Sequence, residues 1–342
     1  MTTTIRAPGT LDYVAAIRLE ERLRDLPPDD EYHFDFGSMT WAQPLGMLYV
    51  SHAIRSFVAE HRRARITAVN FSEPGNACHG YCAHVGFFKA FGLDFGNQPG
   101  AARGSSTYLP ITEMSVPDIK AEAFDTGRLV PEFVELKSFE LAGVLTQARD
   151  GDIRAALGFS VREILRNAVE HSESDRVWFC GQWWPTKQLA RIAILDEGIG
   201  LRTSLSANPY LHVRDDKDAL RFALLPGISG KFFKGSTQNS WDNAGFGLYM
   251  TSALARAGGM FVMVSGGRGV DWSGSGRRYF DANLAGTAIE VELPTSAAAG
   301  LDERLEAVAK RGEHIEHVCA RLLETGGLLS GDSASKLLRG DL

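Results

Sequence analysis

The segment SVREILRNAVEHS, Ser160 to Ser172, constrains the fold more than any other stretch of the chain. Glu163, Asn167 and His171 recur at four-residue spacing and so share one face of a helix, because side chains four apart are neighbours on its surface. Ile164, Leu165, Ala168 and Val169 make most of a second, apolar face. A helix divided in this way lays its apolar side on a core and leaves its polar side to solvent or to a site.

Three glycine-bearing turns follow it. In ILDEGIG an apolar strand ends at Asp196, and Gly198 and Gly200 permit a tight turn and close backbone approach. A carboxylate at such a strand end can accept a hydrogen bond from an exocyclic amine. In NAGFGLYMTSALARAGG, Gly245 and Gly247 open a helix whose first N–H groups and positive end form an anion site suited to phosphates. In GTAI, Gly286 and Thr287 place a hydroxyl at the head of a final strand.

Taken in order, Glu-x3-Asn on a helix, Asp-x-Gly-x-Gly after a strand, Gly-x-Gly-Leu opening a helix and Gly-Thr before a last strand resemble the GHKL superfamily of ATPases, over roughly Glu135 to Pro294. EILRNAVEH is most similar to the anti-sigma serine kinases within it. The resemblance implies ATP and Mg²⁺ as ligands. Asn167 is then the metal ligand, Asp196 holds the adenine amine and Thr287 supports the base through water. Gly198 and Gly200 lie along the nucleotide, Gly245, Gly247 and the Leu248 amide cap its phosphates, and Glu163 serves as the base that orients and deprotonates an attacking water or hydroxyl. The polar stretch from Leu201 to Asn243 takes the place of a nucleotide lid, with Lys231 and Lys234 as candidates to reach phosphate. Neither a Walker sequence nor a dinucleotide fingerprint competes, since GISGKFF lacks the earlier glycine and the following Ser or Thr, and GFGLYM lacks a third glycine.

The first half alternates short strands and helices: a helix from about Tyr13 to Leu26, the strand YHFDFG, the long helix PLGMLYVSHAIRSFVAEHRR, the strand ARITAVNF and a helix around Cys78 to Phe91. That order suggests a small parallel or mixed sheet. HFDFGSMTWAQPLGMLYVSHAI and VGFFKAFGL resemble a STAS-like domain, the fold of anti-sigma-factor antagonists. Where those antagonists carry a phosphorylatable serine, this chain has Gln43, Pro44, Leu45 and Gly46, so an interaction or dimerisation module is the expectation. CHGYCAH offers Cys78, Cys82 and His84, but no second ligand pair completes a zinc pattern; small buried helix residues explain the cysteines as well.

The expected fold is therefore α/β. It comprises an N-terminal STAS-like domain at 1–115 whose end is marked by the Gly, Ser and Pro-rich stretch GNQPGAARGSSTY, a linker at 116–134, a Bergerat-type α+β ATP-binding sandwich at 135–298 with helices on one face of a mixed sheet, and a C-terminal helix and tail at 299–342. A net charge of -6 and a pI near 5.9 supply no basic field for nucleic acid. No apolar run reaches the roughly 18 residues of a membrane span, and MTTTIRAPGTLDY lacks a signal-peptide pattern, so the expected location is the cytoplasm. The expected function is Mg²⁺-dependent ATP binding with hydrolysis, read by a protein partner through the first domain or the C-terminal helix, with homodimerisation open. The alternatives are a serine/threonine protein kinase and a nucleotide-binding scaffold without turnover.

Overall fold

A computed structural model describes residues 2–102, 105, 107–146, 151–230, 245–256, 258–295, 301–324 and 327–339. The chain is mixed α/β. In chain order its first unit runs β1 (Thr2–Arg6), β2 (Thr10–Leu11), α1 (Tyr13–Arg24), β3 (Glu31–Asp35), β4 (Trp41–Ala42), α2 (Pro44–Glu60), β5 (Arg65–Val69), α3 (Ala77–His84) and α4 (Phe87–Ala90). Strands β1, β3 and β5 form a parallel sheet in that order, so the helices fall where the sequence pattern puts them and β1 is an addition. TTTIR is short and largely polar, which hides an edge strand.

The second unit begins earlier than 135. β6 (Tyr108–Ser115) pairs with β7 (Arg176–Trp184), and the expected linker is helical: α5 (Val116–Asp125) leads into α6 (Val130–Thr146) and α7 (Asp152–His171). The reason lies in SVPD. The Ser115 hydroxyl accepts the Asp118 N–H at 3.2 Å, Pro117 stands in the first turn, and Asp118 adds a negative charge there. β8 (Leu189–Asp196), α8 (Gly200–Ser206), β9 (Leu211–His212), α9 (Asp216–Ala223), α10 (Gly247–Arg256), β10 (Met260–Ser273) and β11 (Gly276–Pro294) follow. Then come α11 (Leu301–Glu324), β12 (Leu329–Ser330) and α12 (Gly331–Arg339), so the tail carries structure of its own: β12 pairs with β9, and α12 lies on α9. None of the described helices is long and apolar enough to cross a membrane.

The central sheet has the order β10-β11-β8-β7-β6 and every described pairing in it is antiparallel, which corrects the mixed sheet expected. Alternation along β8 sends Ile192 and Ile194 to the core shared with α5, α6, α7, α9 and α10, and Ala193 and Leu195 to the opposite face. That opposite face is also covered. Trp178, Leu195, Val262 and Val264 share a core with Leu45, Leu48 and Tyr49 of α2 and with residues of α1. The first unit thus packs over the second face of the central sheet as an outer layer.

Polar contacts fix that outer layer. The buried Glu290 carboxylate of β11 accepts the Leu45 N–H at 2.9 Å, standing in for the side-chain cap that Gln43 does not provide to α2. Its second oxygen lies 3.5 Å from the Arg191 guanidinium without a hydrogen bond. Burial pushes the Glu290 carboxyl up to about 7 against the pull of Arg191. The Tyr49 hydroxyl donates to Asn283 O at 2.7 Å, and the Tyr13 hydroxyl to Asp271 at 2.8 Å.

Candidate functional site

α7 presents its polar face to a cavity of about 310 Å³ lined also by the end of β8, by Thr287 and Ile289 in the interior of β11 rather than at the head of a strand, and by the start of α10. Asp152 in its first turn and His171 in its last suit the helix dipole, while Ile164, Leu165, Ala168 and Val169 are buried beneath it. Glu163, Asn167 and His171 line the cavity with Asp196, Gly200, Gly245, Gly247, Leu248 and Thr287. Residues from four separate stretches of chain thus meet in one place. Gly198 is not a lining residue; it sits behind the wall and shapes it. Lys231 and Lys234 lie outside the described residues.

Asp196 is 6% exposed. Burial pushes its carboxyl up to about 7, although the backbone N–H groups of Gly198 and Thr287 pull it down. The Gly198 N–H reaches Oδ1 at 3.0 Å, and Thr287 is the register partner of Asp196 across the β8–β11 ladder. A side chain at 198 has no room, since a Cβ there stands 2.0 Å from Ser172 O at the end of α7. Helix α7 and the β8 turn are therefore locked together by the absence of one methyl group.

The second close approach brings Glu163 to the head of α10. A Cβ on Gly247 stands 2.2 Å from Glu163 Oε2, so only glycine lets the carboxylate pass so near the first helical turn. The other oxygen, Oε1, accepts from Arg162 Nη2 at 2.8 Å and Nε at 3.0 Å. Arg162 in turn lies 4.9 Å from the Phe159 ring centroid and 3.5 Å from Glu135 on α6. The carboxylate is thus held through Oε1 and closely packed at Oε2, and it lines the cavity from the centre of the helix.

Several contributors carry no mark in the sequence. Ser265, near the middle of VMVSGG, accepts the Leu201 N–H at 2.9 Å, donates to Gly286 O at 2.9 Å and lies 3.3 Å from the Thr287 hydroxyl. It joins three segments of the cavity floor, yet a serine at a bulge in an apolar strand looks like any other. Arg162 is similarly hidden, since residues adjacent in a helix do not ordinarily face each other. Glu197 points away from the cavity and is held by His52 and Arg55 of α2.

Chemically the site offers a buried acceptor at one end, exposed N–H groups of a helix start at the other, and an amide and a carboxylate between them. The cavity volume is within the range of small-molecule sites, about 300–1,000 Å³. Asn167 on the cavity wall supplies one neutral oxygen of the kind a hard divalent cation takes beside bound waters. Elsewhere, Cys78 and Cys82 on α3 are buried thiols with sulfurs 3.9 Å apart, and His84 bonds the Tyr108 hydroxyl. Among the described residues, no group of three or more His, Cys, Asp and Glu side chains is placed to hold a metal ion. No family model matches the chain and no curated protein is similar to it, so the roles of these residues rest on the geometry and chemistry of the site itself.

Proposed function

We propose that this chain is an Mg²⁺-dependent ATP-binding protein of the GHKL type that hydrolyses ATP and acts as a nucleotide-controlled switch. The observation that carries the reading is the convergence of Glu163, Asn167, Asp196, Gly245, Gly247, Leu248 and Thr287 on one cavity, from motifs up to about 120 residues apart in sequence. The reading also makes the central sheet with α6, α7 and α10 a Bergerat-type sandwich, and the first unit a STAS-like module.

On this reading the ionised Asp196 carboxylate accepts the adenine amine, with Thr287 and Ser265 ordering water beside the base. The N–H groups at the start of α10 receive the phosphates with the positive helix end behind them. Mg²⁺ at Asn167 would neutralise phosphate charge. Glu163 accepts the proton of the attacking water in line with the terminal phosphate, and Arg162 fixes which of its oxygens is free to do so. In the STAS-like unit, the turn where antagonists carry their serine is occupied by Pro44, Leu45 and Gly46. Leu45 is fully buried against the central sheet and a Cβ on Gly46 stands 2.2 Å from Leu11 O, which supports a packing role for that turn over a phosphorylation switch.

Incubation with γ-labelled ATP and Mg²⁺, following free phosphate and protein-bound label together, tests the reading. Glu163→Gln should lower phosphate release by about 10²- to 10⁴-fold while ATP still binds. Asn167→Ala should remove the Mg²⁺ dependence of binding. Label transferred to a protein hydroxyl would replace hydrolysis with a serine/threonine kinase. ATP binding with no turnover and no effect of Glu163→Gln would leave a scaffold.

A further inference from the structure

Asp196 and Glu197 are consecutive, and their side chains point to opposite faces of the sheet. Asp196 lines the cavity. Glu197 meets α2 of the first unit, where its Oε1 lies 3.0 Å from His52 Nδ1 and is also bonded by Arg55. His52 and Arg55 are three residues apart and share a helix face. Arg55 is itself held: its guanidinium lies 4.3 Å from the Trp178 ring centroid and donates to Ala90 O at 2.7 Å. The Glu197 N–H meanwhile donates to the Ser174 hydroxyl at 3.3 Å. The backbone that aims Asp196 into the cavity is therefore pinned from behind by a different layer of the molecule. Burial opposes ionisation of Glu197, yet the His52 hydrogen bond and the Arg55 charge outweigh it and hold the carboxyl down at about 2, so this anchor stays charged.

We propose that His52 and Arg55 are positioning residues for the base end of the nucleotide site, acting through Glu197, so that the first unit sets the affinity for adenine. The inference rests on the ATP reading of the cavity and adds a route by which a protein docked on the first unit alters nucleotide binding. A shift of α2 by a fraction of its contact distance loosens Glu197, and with it the carboxylate of Asp196. The phosphate end, built on α10 and α7, has no direct bond to α2 among the described residues and is not addressed by this route.

Calorimetric titration of the full chain with three probes, adenosine, ATP and inorganic tripolyphosphate with Mg²⁺, tests it in the wild type, Arg55→Ala and Glu197→Gln. Both variants should weaken adenosine and ATP by the same factor, roughly tenfold, and leave tripolyphosphate binding unchanged. Adenosine affinity equal to the wild type in both variants overturns the proposal. So does loss of adenosine and tripolyphosphate together with a lowered Tm, which marks plain structural damage. A wild type that binds tripolyphosphate but neither adenosine nor ATP removes the ATP reading and this inference with it, a result distinct from variants that match a binding-competent wild type.

Discussion

Asp196 is the residue whose chemistry is most exposed to measurement. Burial raises its carboxyl from 3.8 to about 7, so the folded chain binds a proton there that the unfolded chain releases, and the ligand-free protein loses stability as pH rises from about 4 through 7. An adenine amine needs the opposite state, the carboxylate. Adenosine affinity should therefore increase about tenfold between pH 6 and pH 8, and Asp196→Asn should bind weakly with a flat profile; a wild-type profile that is itself flat would contradict the assigned role. Gly247 carries a second expectation. Gly247→Ala drives a methyl group into Glu163, so phosphate release should fall by about tenfold or more with the helix retained by circular dichroism. At this scale the sequence was informative because the site is built from short motifs whose residue types have few substitutes: a glycine where nothing else fits, a carboxylate at a strand end. Ser265, Arg162 and Glu197 were illegible because their work depends on partners 21 to 145 residues away or, for Arg162, on a bond to the very next residue, which spacing does not encode.

Elements with a strong apolar signal were equally legible: the run RVWFCGQWW is β7 from Arg176–Trp184, and α7 ends at His171 where its polar face ends. The misses have physical causes. SVPD is a cap, but it sits in Gly, Ser and Pro-rich text that also describes a linker. DDKDALRF, the start of α9, is capped by Asp215, yet it lies inside the stretch set aside for a lid. α2 holds a feature no local pattern contains, since its N-terminal N–H is bonded by a carboxylate from β11. Because burial raises Glu290 from 4.5 to about 7, the same sign applies as for Asp196: stability contributed by the protonated form is complete below pH 4.5 and lost as pH rises through about 7. Glu290→Gln should flatten part of the decline of stability between pH 5.5 and pH 8, by about 2 kcal/mol at most. A decline unchanged in that variant would assign the titration elsewhere.

For the whole molecule, the sandwich of layers changes what a fragment can do. A chain starting at Ser105 keeps every residue lining the cavity but bares Trp178, Leu195, Val262 and Val264. Such a surface should drive aggregation or dye binding instead of yielding an autonomous ATP-binding domain, and a soluble, cooperatively melting fragment would show that the outer layer is dispensable. The expectation of helices on one face missed this two-sided burial, although IAIL and VWFC run apolar through consecutive positions, where a sheet open on one face alternates. What could not be read was which part of the chain supplies the second cover. The answer has a consequence for synthesis. Helices α1 and α2 leave the ribosome roughly 200 residues before the hairpin of β10 and β11 that they cover, a delay of about 10–40 s at ordinary elongation rates. During that interval the part of their apolar faces that covers β10 and β11 has no native mate, although β7 and β8 are already made. A nascent chain in that state should depend on chaperones until the hairpin is made, and slowing translation ahead of Met260 should lengthen that dependence.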